Sequence, residues 1–327
     1  MSVTSQEEAV VTEFAALADP YREELLAYCY RMLGSVHDAE DQVQETMVRA
    51  WRFYDDFEGR SSLRTWLYRI ATNSCLRALE TRSRRPLPSD LSDPATDPYG
   101  ALGADRPEFP WLQPFPDRPG PDPAAIVTAR ASTRLALIAA LQYLPGRQRA
   151  VLILRDVLGW HAAEVAGLLG VSVAAANSAL QRARARLAEA GLTEDNLREP
   201  AEAADRLLLD RYAAAFEAAD VAALTELLHA DAALEMPPQP YWFSGREQVL
   251  RFLQSRVLTT TGKFRLTVTG ANGQPAFAAY MRAADGPYLA HAIQVLTVRA
   301  GRIARIVSFN DARLVAAFGL PDRLDAC

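Results

Sequence analysis

The sequence predicts a multidomain chain: two all-helical domains, the second containing a helix-turn-helix, followed by an α+β domain. Three observations carry this. The chain has 327 residues, half of them hydrophobic, enough for two or three separate cores. Apolar residues recur at helical spacing up to about residue 192, interrupted between 86 and 123 by eleven prolines. Beyond about residue 200 the helical pattern gives way to short alternating runs separated by Gly-containing turns.

Residues 1–14 are polar and carry no clear element. A helix is expected from about 14 to 33, with Leu17, Leu25, Leu26, Cys29 and Met32 periodic and Gly34 as its stop. Asp38 is expected to cap a second helix running to about Tyr54. Its early acids Asp38, Glu40, Asp41 and Glu45 suit the positive end of a helix dipole. After a loop holding Gly59 and Arg60, a third helix is expected over 63–82. It turns Leu67, Ile70, Ala71, Leu76 and Leu79 inward and Arg64, Arg69, Asn73 and Arg77 outward. The proline-rich stretch 86–123 reads as a semi-extended linker rather than a folded layer. Its aromatic piece around Trp111 and Phe115 reads either as a docking segment or as a loosely packed loop.

A helix is expected over 124–141, leading into the densest pattern of the chain. Pro145 opens an apolar helix that Gly159 ends, and a short amphipathic helix with Val165, Leu168 and Leu169 inward follows. Gly170 and Val171 form a tight turn, and Ser172 caps the next helix. That helix places Ala176, Leu180, Ala183 and Leu187 on one stripe and Asn177, Gln181 and Arg184 on another, with Ser178, Arg182 and Arg186 nearby. The spacing is that of a helix-turn-helix. Amides pair bidentately with adenine edges, and guanidinium groups with guanine edges or phosphates.

The net charge of −5 excludes a general basic coat, so nucleic-acid binding must rest on local patches such as Arg82, Arg84 and Arg85, or Arg182, Arg184 and Arg186. The three cysteines are far apart and form no CxxC or Cys/His cluster; no metal site, cofactor or disulfide framework is expected. The first residues lack a basic start followed by an apolar run, and no apolar stretch approaches membrane-spanning length. A cytoplasmic protein without a membrane partner is expected.

After residue 200, a helix is expected over 202–218 and a short one from its Asp220 cap to Leu228. Strands are expected at 232–236, 264–268, 276–282, 288–299 and 303–309, with a helix over 246–257 between them. The outcome is helices on one face of a mostly antiparallel sheet.

The two helical blocks, about 14–85 and 124–190, resemble the extracytoplasmic function (ECF) sigma factors of bacterial RNA polymerase. The resemblance rests on Asp-Ala-Glu-Asp-Gln-Val-Gln-Glu-Thr at 38–46, on the run from Phe57 through Arg-Thr-Trp-Leu-Tyr-Arg at 64–69 to Leu76, and on Leu-Pro at 144–145, Glu-Val-Ala at 164–166 and Leu-Gly-Val-Ser at 169–172. It implies a region 2 domain at 14–85 and a region 4 domain at 124–192, with core polymerase (β′ clamp helices and β subunit) and promoter DNA as partners. By this resemblance Asp38, Glu40, Asp41, Gln44 and Glu45 bind the clamp helices. Arg60, Ser61, Ser62, Arg64, Thr65, Trp66, Arg69, Asn73 and Arg77 hold the melted minus-ten strand. Asn177, Ser178, Gln181, Arg182 and Arg184 read the minus-thirty-five element. Trp66 reads equally well as a core residue. Family members often carry basic residues where Asn177 and Ala179 stand, and a serine where His161 stands.

The block from about 200 to 327 resembles the SnoaL-like cone-shaped domains fused to some sigma factors of this kind, mainly through its element order and Tyr-Trp-Phe-Ser-Gly-Arg-Glu at 241–247. The resemblance implies a small-molecule pocket, for which Met236, Trp242, Tyr280, His291 and Asn310 are the candidates. His291 alternates with Leu289, Ile293 and Val295 and reads as a core histidine before a catalytic one. No catalytic set emerges, so the expected function is that of a sigma factor regulated in cis by its last domain, not of an enzyme.

Overall fold

The computed structural model describes residues 14–59, 61–82, 84–100, 104–106, 109–117, 134–189, 202–284 and 286–325. The chain divides into two compact units, one of residues 1–84 with 136–192, the other of 85–135 with 193–327.

The first unit is all-helical. The expected first helix is broken: residues 14–18 are helical, Pro20 sits in a 3₁₀ turn at Asp19–Tyr21, and α1 runs Arg22–Leu33. A proline at the first position of a turn needs no N–H there, but inside one long helix it would remove a hydrogen bond. Gly34, at φ +70°, ends α1. α2, Val36–Arg52, is capped by Ser35 rather than Asp38: the Ser35 hydroxyl accepts from the Asp38 N–H at 3.2 Å. α3 is Leu63–Glu80, capped by Ser62. The fully buried Tyr28 and Leu67 anchor this bundle, and the Tyr28 hydroxyl meets that of Thr72 at 2.8 Å.

The helix expected over 124–141 is described only from α4, Leu135–Leu141; its earlier part lies outside the described residues. α5, Gly146–Leu152, passes into a wider turn at Ile153–Val157, and Gly159 at φ +69° closes it. α6, Ala162–Leu169, and α7, Val173–Glu189, flank Gly170 at φ +64°. At the N-terminus of α6, Glu164 accepts from the His161 N–H at 2.7 Å, so this helix start is closed without a serine. Arg149 of α5 is buried and shares its donors among the carbonyls of Met32, Gln142 and Leu144 and the Gln142 amide oxygen. Met32 lies in the last turn of α1, where carbonyls lack helical partners and favour a cation. Burial lowers the guanidinium to about 10.

The second unit is α+β. α8 (Glu202–Glu217) and α9 (Val221–Leu227) precede β1 (Leu228–Glu235), β2 (Trp242–Ser244) and α10 (Arg246–Phe252). β3 (Phe264–Ala271), β4 (Gln274–Arg282), β5 (Tyr288–Arg299) and β6 (Arg302–Phe309) follow, then α11 (Ala312–Ala317) and the short β7 (Arg323–Leu324). The sheet order is β2-β1-β6-β5-β4-β3, with β7 on β5; all pairs are antiparallel except β1 with β6. Asn272 and Gly273, both at positive φ, make the β3–β4 turn, a geometry that Asn-Gly adopts at little cost.

In β4, Ala276 to Tyr280 are buried without a break, which requires cover on both faces of the sheet. Phe277 and Ala279 join Tyr212, Phe216, Phe243, Leu250 and Ile306 in the cluster under α8 and α10. On the opposite face of β4 the Tyr280 hydroxyl donates to Pro321 O, and α11 packs against β5. Contrary to the expectation of a semi-extended linker rather than a folded layer, the described residues between 85 and 117 form a strap on this unit, with Ala95 packed against the same cluster. Glu235 points away from Leu234, is fully buried, accepts from the Ser89 N–H at 3.0 Å and pairs with Arg305. Ala95 N–H donates to Trp242 O at 2.7 Å, Arg106 N–H to Pro238 O at 3.0 Å, and Asn272 N–H to Phe115 O at 2.8 Å. Trp111 and Phe115 are buried in this unit, and the Trp111 indole donates to Arg106 O at 2.7 Å. Proline denies the strap a regular ladder, so it is held by scattered backbone and side-chain bonds.

Candidate nucleic-acid interface

Three helix faces of the first unit and one cavity of the second hold most of the residues singled out by the sequence.

On α2, Glu40, Asp41 and Gln44 are exposed. Asp38 is partly buried and paired with Arg82, and Glu45 accepts from Arg49 Nε at 2.6 Å. The open acidic face is therefore smaller than expected. It continues into Val48 and Trp51, 36% and 42% exposed, which the sequence reading passed over. Their signal was available: 41, 44, 48 and 51 follow one helical stripe, and an apolar pair on the outer side of an amphipathic helix is unusual.

On α3, the Ser62 hydroxyl accepts from the Thr65 N–H at 3.1 Å and meets the Thr65 hydroxyl at 2.9 Å, so these groups first of all cap the helix. Ser61 is half-buried beside them, and Arg60 lies outside the described residues. Arg64 is not turned freely outward. It donates to both Glu24 carboxylate oxygens at 2.9 and 3.0 Å and lies over the rings of Tyr68 and Trp160, 5.3 and 5.5 Å from their centroids. The Glu24 bonds raise its pKa further. Trp66 is half-buried, its ring 4.9 Å from that of Phe57. Arg69, Asn73 and Arg77, four residues apart, form an exposed stripe with no ion pair or hydrogen-bond partner among the described residues.

On α7, the Ser172 hydroxyl accepts from the Ala175 N–H at 3.1 Å, and Ala176, Leu180 and Ala183 are buried. Asn177, Gln181, Arg182 and Arg184 are exposed and Ser178 half-buried. Arg184 is held bidentately by Asp156, at 2.9 and 2.7 Å, and Arg182 donates to the Ser178 hydroxyl. Asn177 and Gln181 remain free among the described residues.

Of the five pocket candidates, Met236, His291 and Asn310 line one cavity of about 230 Å³ between the sheet and its helices. Trp242 does not: its indole donates to Ser92 O at 2.8 Å and holds the strap. Tyr280 points to the other face, its hydroxyl donating to Pro321 O at 2.9 Å. A bulge decides the place of His291. Ala279 pairs with Ala292 but Tyr280 with Ala290, leaving His291 unpaired and out of the alternation with Ile293 and Val295. Burial, then the nearby Lys263 charge, lowers its pKa below the ordinary 6.5. Among the described residues no single helix is long and apolar enough to cross a membrane.

Comparison with known proteins follows the same division. Residues 17–85 match Sigma-70 region 2, 134–187 match Sigma-70 region 4, and 209–306 match the SnoaL-like domain. The chain is 51% identical over 316 residues to the ECF RNA polymerase sigma factor SigG of Mycobacterium tuberculosis (strain H37Rv), covering 95% of this chain and 85% of that protein. It is 28% identical over 310 residues to SigJ of the same organism, covering 90% of each. The crystal structure of Mycobacterium tuberculosis SigJ superposes with a TM-score of 0.61 at 26% identity, over 95% of this chain and all of that one. With region 2, region 4 and a SnoaL-like domain in this order and half its residues shared with SigG, the chain belongs to the ECF RNA polymerase sigma factors, which direct promoter recognition and transcription initiation.

Proposed function

We propose that the three helix faces divide the work of initiation and that the SnoaL-like unit governs it in cis. α2 offers Glu40, Asp41 and Gln44, with Asp38 and Glu45 behind them, to the β′ clamp helices of core polymerase, and the exposed Val48 and Trp51 add the apolar contact such an interface needs. α3 holds the melted non-template strand. Arg69 and Arg77 meet phosphates, and Asn73 meets a base edge, with Ser61, Ser62, Thr65 and Trp66 at the head of the helix. α7 reads the upstream element in the major groove through Asn177, Gln181 and Arg182. The observation that carries this reading is the exposed stripe Arg69–Asn73–Arg77, which has no ion pair or hydrogen-bond partner among the described residues.

The same arrangement must open to work. The two promoter elements lie about 25 base pairs apart, roughly 85 Å at ~3.4 Å per pair. A compact unit of this size has a radius of gyration of only about 14–15 Å. α3 and α7 cannot reach both elements while Arg149 ties α5 to the end of α1 and Arg64 lies over Trp160. The cone bears on this opening because it holds the strap. Released, residues 85–117 supply slack on the order of 100 Å, at ~3.3–3.6 Å per residue. Docked, they do not. The cavity lining contains no Asp or Glu, and we read the cone as regulatory rather than catalytic.

The test uses core polymerase. Asp41→Arg with Trp51→Ala weakens co-elution with core enzyme, since like charge and a lost apolar anchor both act at the interface. Asn73→Ala spares duplex binding and reduces permanganate reactivity of the melted region. Unchanged co-elution removes the α2 assignment, and unchanged footprints remove the α3 assignment.

A further inference from the structure

The cavity of the second unit has an uneven polar inventory. Its walls are mainly apolar, with Phe216, Leu234, Leu253, Phe264 and Ile306 among them. Its two charged groups, Lys263 and Arg256, are donors only. Lys263 is fixed at the rim by Val257 O at 3.0 Å and the Thr259 hydroxyl at 3.4 Å. Arg256, also on the lining, donates to the strap carbonyls of Tyr99 and Gly100 at 2.8 and 2.9 Å. Neither cation meets a carboxylate among the described residues. Deeper in, the Gln294 amide oxygen accepts from the Tyr212 hydroxyl at 3.1 Å, which leaves its NH₂ group without a protein acceptor among the described residues. His291 likewise has no hydrogen-bond partner there. These groups face the cavity, where a ligand that supplies acceptors would meet them.

We propose that this cavity binds a small amphipathic monocarboxylate, its apolar body between the sheet and the helices and its carboxylate at the rim on Lys263 and Arg256. The reasoning is by chemistry and size. The lining offers two permanent positive charges and no negative one, so a cation is repelled and a neutral hydrocarbon leaves the donors unmet. The guanidinium fork matches a planar carboxylate, and its Nε and remaining NH groups are free of the strap carbonyls. A volume of about 230 Å³ exceeds the ~150 Å³ that holds benzene and falls short of a polycyclic ligand. It suits one aromatic ring or a chain of about eight carbons. Burial and Lys263 keep His291 neutral at pH 7, so it adds a hydrogen-bonding group without adding charge. The proposal is independent of the roles assigned to the three helix faces.

The test reads the site directly in the full-length protein. The chain has five methionines, of which Met236 and Met281 line the cavity, while Met32 and Met47 lie in the helical unit. Methyl-labelled methionine is therefore a local probe. Octanoate and benzoate are titrated beside octan-1-ol and benzyl alcohol. The carboxylates shift the Met236 and Met281 signals and leave Met32 and Met47 in place. The alcohols bind about tenfold more weakly or worse, the size of one lost charge-assisted contact. Lys263→Leu lowers carboxylate affinity about tenfold and leaves the alcohols unchanged. Arg256→Leu, on an exposed side chain, does the same and stands in if the first variant does not fold. Equal affinity for acid and alcohol, shifts confined to Met32 and Met47, or no shift with either carboxylate overturns the proposal.

Discussion

The two units keep their polar side chains in opposite ways. In the helical unit several of the groups proposed for DNA stay in solvent: Arg69, Asn73, Arg77, Asn177 and Gln181 stand on stripes opposite a buried face. They cost the fold nothing while unpaired, because water serves them. In the α+β unit the polar groups are withdrawn. Glu235 is sealed under the strap with Ser89 and Arg305, and Ser308, Asn310, Gln239 and Asp105 form a chain of side-chain bonds, each 2.9 Å, from the cavity wall to the strap. A buried group must be paired or face a ligand. The difference teaches that one unit leaves its spare polar groups to water and the other encloses them, which is the contrast the two proposed binding modes rest on.

The largest expected effect tests the enclosed side. Trp111→Ala removes a buried indole that anchors the strap, and a substitution of this kind costs about 3–5 kcal/mol. Hydrogen exchange by mass spectrometry then shows residues 85–117 losing protection while α1–α3 keep theirs. Loss of protection spread evenly over both units would break the comparison, because the strap would then be part of one common fold.

A smaller effect sharpens the open side. Arg182→Ala weakens binding to a minus-thirty-five duplex by about 1–3 kcal/mol if the guanidinium reads a base. Arg184→Ala changes it by less, since that side chain is already bound to Asp156 on both nitrogens. Fluorescence anisotropy on one duplex ranks the two. Reversed ranking means that Arg184 leaves Asp156 on binding and that the exposed stripe is wider than the free protein shows.

The smallest effect is a pH dependence confined to the cavity. His291 has a lowered pKa in the folded protein, so the unfolded chain binds its proton first. Stability from this residue is complete above the unfolded value of about 6.5 and falls as pH drops from there toward the folded value. Thermal unfolding at pH 7.5 and 5.5 shows a loss at the lower pH that is reduced in His291→Gln. An equal loss in the variant assigns the effect to other groups.

Much of the helical unit was legible in the sequence because its determinants are local. Gly34, Gly159 and Gly170 stop helices at positive φ, Ser172 caps α7, and the exposed stripes follow from a period of 3.6. What misled was pairing across the chain: Arg64 with Glu24, Asp38 with Arg82 and Arg184 with Asp156 join residues 28–44 positions apart, which no periodicity records. The strands after residue 260 were equally readable from alternation and turn residues.

The strap was not legible. Its prolines exclude helix and ladder, and its aromatic piece at Trp111 and Phe115 reads as a docking segment or a loose loop; that both are buried, and that Ser89 meets Glu235, needs the sheet to exist first. His291, a pocket candidate from the sequence, does line the cavity, but a single bulge rather than strand alternation puts it there, since one unpaired residue moves a side chain to the opposite face. By itself the sequence determined most of the helices, the four long strands after residue 260 and the glycine stops, because these follow from neighbours a few residues apart, but not β2, α11 or β7. The tertiary structure alone decided which charges are spent on one another, what covers the second face of the sheet, and which donors are left facing a cavity, because each depends on surfaces that meet only after folding.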